Sequence, residues 1–140
     1  MFDPAAGGYA RMIRRWVLLP AVTVLTTAVV SCSAAAEPAV TAVADQFART
    51  LAQHDGNAAC AMLTGNARRS TETFGRSCAA ELATLPDPGA VEQVEVWSDA
   101  AQVRLDGDTL FLLHFPDGWR VSAAGCAPRE AAPYDCEVQG

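Results

Sequence analysis

The 140-residue chain contains no lysine: all ten basic residues are arginines, set against 16 acids. So little positive charge argues against nucleic acid or anionic lipid as a partner, because both demand clustered cations. Histidine occurs only twice, at His54 and His114, so the commonest proton shuttle is scarce. No G-x-S-x-G elbow or comparable nucleophile context surrounds the serines, which leaves a hydrolase without a signature. The cysteines show no C-x-x-C spacing, whereas structural zinc usually displays its thiolates in close pairs. Asp99, Asp106, Asp108 and Asp117 are spread over three hairpin turns and lack the interleaved loop spacing of a calcium site. No metal and no cofactor is therefore expected. Long apolar runs are missing as well. The stretch from Trp16 to Val30 would reach only ~22 Å as a helix, short of a hydrocarbon core of ~30 Å.

That brief apolar run is nevertheless the clearest feature present. Arg11, Arg14 and Arg15 precede it against the single acid Asp3, and it carries no charge of its own. A basic start followed by a short apolar segment reads as an export signal, not a resident span. It ends in Val29-Val30-Ser31-Cys32, which resembles the lipobox of bacterial lipoproteins: an aliphatic residue, a tolerant position, a small residue and then cysteine. The resemblance implies a diacylglyceryl thioether on Cys32, cleavage after Ser31, and a processed chain anchored by acyl groups such as palmitate to the outer face of the cell membrane. Two acyl chains matter because each buried methylene contributes ~0.8 kcal/mol and one chain alone anchors only marginally. The plainer alternative keeps Cys32 as an ordinary cysteine in a signal peptide or single-span anchor. Arg14-Arg15-Trp16-Val17-Leu18 is also similar to the twin-arginine export motif, although no Ser or Thr precedes the pair.

Residues 1–31 are thus expected to be a lipoprotein signal, 32–38 a tether, and 39–140 a single domain. Seven arginines and fifteen acids remain after the signal, a net charge of −8. Cys60, Cys78, Cys126 and Cys136 form an even set in a short exported chain, and three pairings are open to them. Proximity in sequence favours Cys60 with Cys78 and Cys126 with Cys136. A domain of this size draws useful support from such staples.

Within the domain the hydrophobic period changes once. Val40, Val43, Ala44, Phe47 and Leu51 recur at helical spacing, with Asp45, Gln46, Arg49 and Gln53 on other faces, and Asp55-Gly56 stops the pattern. A short helix over Ala58 to Leu63 should follow, then an ambiguous polar stretch from Asn66 to Phe74. Ser77 can cap a third helix from Cys78 to Leu85, before Leu-Pro-Asp-Pro-Gly closes the helical half. From Val94 onward the apolar residues alternate. Turns at Ser98-Asp99, Asp106-Gly107 and Asp117-Gly118 would pair Val96 with Ala101, Val103 with Leu110 and His114 with Val121. This register predicts an α+β fold, a curved four-stranded antiparallel sheet covered on one face by helices. Phe111, Leu113 and Phe115 then share the opposite face, as a partner or dimer surface or beneath the C-terminal tail. The tail from Cys126 to Cys136 reads as a Pro-containing loop pinned by its disulfide.

The Leu-Ala-Gln-His-Asp-Gly-Asn-Ala-Ala helix ending and the Asp-Gly-Trp-Arg-Val strand entry resemble the nuclear-transport-factor-two-like, cystatin-like roll over roughly Val40 to Ala124. A roll of that kind serves enzymes, ligand pockets and dimer modules alike, so the resemblance speaks to fold more than to function. It implies a cone-shaped cavity beside His114, where Asp45 would be an acid or base partner in an isomerase- or dehydratase-like enzyme. The core face offers mostly Val, Leu and Ala, however, and a lone histidine on such a face is more often structural. Arg68, Arg69 and Arg76 read as a solvated helix face, and His54 as solvated at a helix end. The expected role is a membrane-anchored, extracytoplasmic, non-catalytic binding or interaction module for a protein partner or a small apolar ligand. The alternatives are the His114 and Asp45 enzyme and a structural homodimerisation module.

Overall fold

In the α1 helix, Cys32–Ala52, the residues at helical spacing are the ones that pack. Val40, Ala44 and Phe47 are fully buried and Leu51 nearly so, while Ala42, Gln46, Arg49 and Gln53 face solvent. Burying one large apolar side chain contributes about 1.5–3 kcal/mol, so this one stripe is enough to dock the helix. His54 ends it in the left-handed region, at φ 54°, with its N–H donating to the Leu51 carbonyl at 3.0 Å. These facts come from a computed structural model that describes residues 32–72, 75–130 and 133–140; the expected signal, 1–31, and the side chain of Cys32 lie outside the described residues. Residues 32–38, expected as a tether, are helical and form the first two turns of α1. Alanine has the highest helix propensity, and Pro38 withholds only one N–H near an exposed end.

Three short helices follow, each opened by a side-chain cap. Asp55 accepts from the Ala58 N–H before α2, Gly56–Ala61; Thr64 accepts from Ala67 before α3, Gly65–Thr71; and Ser77 accepts from Ala80 before α4, Cys78–Leu82. The helix expected over Cys78 to Leu85 is thus shorter by a turn. The α3 helix occupies most of the stretch that the polar sequence left ambiguous. Its Thr64 cap is itself held, with its N–H donating to the Val121 carbonyl at 2.8 Å, and Ala67 and Thr71 bury one inner face. No periodicity of large side chains announces this helix, because its contact residues are an alanine and a threonine.

Beyond Pro88 come β1, Val91–Trp97; β2, Ala100–Leu105; β3, Thr109–Phe115; β4, Gly118–Ala127; and β5, Asp135–Gln139. They form one open antiparallel meander in chain order. The fold is therefore α+β, with five strands where four were expected. The extra strand is the tail: Cys136 stands opposite Cys126 on β4, and alternation then carries Val138 into the core at 2% exposure. Val96 faces Ala101 and Val103 faces Leu110, as the alternation predicts. The third hairpin differs. His114 faces Trp119, not Val121, because the turn is Pro116-Asp117, between the paired Phe115 and Gly118. Proline's fixed φ suits the second position of such a turn, and Gly118 takes the positive φ of 123° that follows it. An irregularity between Phe111 and Leu112 absorbs the shift.

The core lies between α1, the short helices and one sheet face, around Phe47, Leu63, Leu82, Val103, Leu110, Leu112 and Val121. Both favoured disulfides are present. Cys60–Cys78 ties α2 to α4 with Cα atoms 6.0 Å apart, and Cys126–Cys136 crosses from β4 to β5 with Cα atoms 4.0 Å apart.

Candidate interaction surface

Directly paired residues of an antiparallel sheet point to the same side. Trp97 pairs with Ala100, Ala100 with Leu113, and Leu113 with Arg120, so these four form a row across the face that no helix covers. Phe115 is the next residue of β3 on that face, beside Gly118. Trp97 is 53% exposed, Phe115 37% and Leu113 36%, and these are the large apolar side chains that solvent reaches most among the described residues. The rim is polar: Arg120 pairs with Asp117 at 2.5 Å, Arg104 pairs with Glu92 at 3.3 Å, and Glu95, on the Trp97 side of β1, accepts from the Gln93 amide at 2.9 Å. Such exposed ion pairs contribute little stability in water.

Of the three residues expected on this surface, Leu113 and Phe115 are open and Phe111 is partly capped. The Tyr134 ring stands edge-on to Phe111 with centroids 5.1 Å apart, and the Gln102 amide donates to the Tyr134 hydroxyl at 3.2 Å. The tail thus covers one end of the face and leaves the other bare. Trp97 was not singled out by the sequence reading. A signal for it existed, because once Val96 faces Ala101 the neighbouring Trp97 must share the outer side with Leu113.

His114 alternates with Leu110 and Leu112 and so belongs to the helix side of the sheet, but it lies at the sheet's end and is exposed. Its expected place beside Val121 over a cavity is corrected: its ring leans on Trp119 at 4.9 Å, with planes 50° apart. Asp45 sits half-buried on α1. Among the described residues no hydrogen bond or ion pair joins it to His114, and the principal cavities are lined by one or neither of them. A general acid or base must come within hydrogen-bond reach of its partner or substrate, and these two are not brought together in that way. His54, expected to be merely solvated, has Nδ1 3.2 Å from the Ala83 carbonyl, where it can donate.

The remaining polar candidates have structural partners. Arg68 donates to the Cys60 carbonyl at 3.2 Å, Arg69 reaches Asn66, and Arg76 pairs with Glu81 at 2.8 Å, so the three arginines do not converge on one anion. Asp106 accepts from the Ala90 N–H at 3.1 Å. Asp108 does more than shape its turn, since its carboxylate accepts from the N–H groups of Thr109, Gly125 and Cys126 and fastens the β2–β3 turn to β4. Burial pushes its pKa above the usual carboxylate value, and the three N–H donors pull it back only in part. A cleft of about 250 Å³ beside it is lined by Leu85, Pro86, Pro88, Cys126 and Glu137. Asp117, fully exposed, is lowered by its hydrogen bond from Arg120.

Among the described residues no group of three His, Cys, Asp or Glu side chains is placed to hold a metal ion. No helix of the described residues is long and apolar enough to cross a membrane. The two disulfides are compatible with an oxidising, extracytoplasmic compartment. Comparison with family models, with curated proteins and with solved structures finds no match for this chain.

Proposed function

We propose that the protein is a lipid-anchored, extracytoplasmic interaction module without catalysis, in which a cystatin-like roll holds the outer face of its sheet toward a partner protein near the membrane. One observation carries this reading: Trp97, Leu113 and Phe115 stand together on one sheet face, open to solvent, inside a polar rim. Aromatic anchors within a polar rim are the usual composition of a protein-binding surface. The anchoring half rests on the lipobox resemblance of Val29-Val30-Ser31-Cys32, and the compartment on the paired thiols. The roll is supported by helices that cover one side only of an antiparallel meander.

Intact mass spectrometry of membrane-extracted protein, before and after reduction, tests the anchoring. The expected species begins at Cys32, carries acyl mass and gains four hydrogens on reduction; a chain that retains residues 1–31 with an unmodified thiol overturns it. Photo-crosslinking from Leu113 in the native membrane tests the surface. A discrete protein adduct that vanishes in a Trp97→Ser/Phe115→Ser variant is expected, whereas an adduct with a second copy of the chain supports the dimerisation module instead.

A further inference from the structure

We infer that the Cys126–Cys136 disulfide is a redox latch that holds Tyr134 over Phe111 and so sets how much of the outer sheet face is open. The two disulfides are not equally accessible. Cys60, Cys78 and Cys126 are buried at 8%, 4% and 6%, and only Cys136 of these four reaches solvent to an intermediate degree. A thiolate can therefore attack the tail pair from outside while the α2–α4 pair stays sealed in the core.

Between these two cysteines the ladder continues for one further pair, Ala127 with Asp135, and the rest of the described segment is held by little else. Residues 127–130, Pro133 and Asp135 are exposed, and the Arg129–Asp135 ion pair lies within the segment itself. Tyr134 supplies its contacts to the sheet, against Phe111 and from the Gln102 amide. Beyond Cys136 the chain has separate anchorage. Val138 is 2% exposed in the core, the Gly140 N–H donates to the Ser122 carbonyl at 3.0 Å, and the Gly140 carbonyl accepts from the Thr64 hydroxyl at 3.2 Å. Breaking the disulfide should thus free the segment without unzipping the end of β5.

The chemistry needs an external dithiol. One of its thiolates attacks Cys136 Sγ, forming a mixed disulfide and releasing the Cys126 thiolate, which takes up a proton. The second thiol of the reductant then attacks the mixed bond, releasing Cys136 as a thiol. The reductant leaves as a disulfide, having passed two electrons and two protons to the protein. With the loop no longer closed, the entropy of ordering it opposes the Tyr134 contact, and Phe111 joins Leu113 and Phe115 in one continuous apolar row along β3. This last step rests on the interaction-surface reading, but the opening itself does not.

The test is stepwise reduction of the membrane-extracted protein in detergent with a soluble dithiol, trapping free thiols by alkylation. The expected first product is alkylated at Cys126 and Cys136 with Cys60–Cys78 intact. In hydrogen exchange it loses protection at Ala127 and Asp135 while Val138 and Gly140 keep theirs, and a Cys126→Ser/Cys136→Ser variant behaves alike. An oxidised Tyr134→Ala variant should crosslink from Phe111 to the same extent as the reduced protein. Reduction that starts at Cys60–Cys78, or that reaches both pairs only on global unfolding, overturns the latch. So does a Cys126/Cys136-alkylated product with unchanged exchange at Ala127 and Asp135. The alkylation and exchange readouts need no partner, so a failure of the docking reading, which would show only in the crosslinking, leaves them unchanged.

Discussion

Two adjacent residues on β3 show how little sequence distance separates core from surface. Leu112 is 1% exposed and faces Phe47's side of the sheet, whereas Leu113 is 36% exposed on the other. Leu112→Ala should cost about 3 kcal/mol in chemical denaturation, while Leu113→Thr should shift stability by less than about 0.5 kcal/mol and act only on association. Asp108 offers a pH-dependent case. Removing its three backbone bonds in Asp108→Ala should cost about 2 kcal/mol, because buried N–H donors are left unpaired. Its folded pKa lies above the usual 3.8, so the native state holds that proton more tightly than the unfolded chain does. The resulting stability is full below pH 3.8 and is lost as pH rises through the folded value. Denaturation of wild type and Asp108→Asn across that range should show the wild type losing ground as pH rises. Asp117 acts in the opposite sense, stabilising above its ordinary value and losing that as pH falls.

At the scale of elements, α2 and α4 approach each other so closely that one position admits no side chain. A Cβ on Gly56 would stand 1.8 Å from the Ala79 carbonyl oxygen, a backbone atom that cannot swing away, and Cys60–Cys78 locks the same pair of helices one turn further on. Gly56→Ala should therefore separate the helices and lower thermal stability more than loss of the disulfide does; the chain-entropy model puts the latter at about 3 kcal/mol. Calorimetry of Gly56→Ala against Cys60→Ala/Cys78→Ala would order the two. The helices themselves were legible to different degrees. The α1 stripe of Val40, Ala44, Phe47 and Leu51 is written in large apolar residues, whereas α3 turns inward on Ala67 and Thr71 and leaves no such mark.

For the whole molecule, the proposed lipid anchor makes location depend on Cys32. Cys32→Ser should move the protein from the membrane fraction to the soluble fraction if the lipid is the sole anchor. Complete retention of that variant would instead indicate an uncleaved span in the first thirty-one residues. An open five-stranded antiparallel sheet with helices on one side can leave its other face to solvent, and here Tyr134 covers only the Phe111 end of that face.

By itself the sequence determined the α+β class, the helix-then-strand order and two hairpin registers, and it favoured the cysteine pairing that the structure holds, because each follows from local periodicity, turn chemistry or short separation. Tertiary structure alone decided the rest. Which turn Phe-Pro-Asp-Gly would make, and hence where His114 points, depended on how β3 and β4 could pair with an irregularity between them. Whether the tail became a strand depended on Val138 finding room in the core. How far Tyr134 would cap Phe111 depended on where a disulfide across two strands brought the loop, a contact between residues distant in sequence that no local pattern encodes.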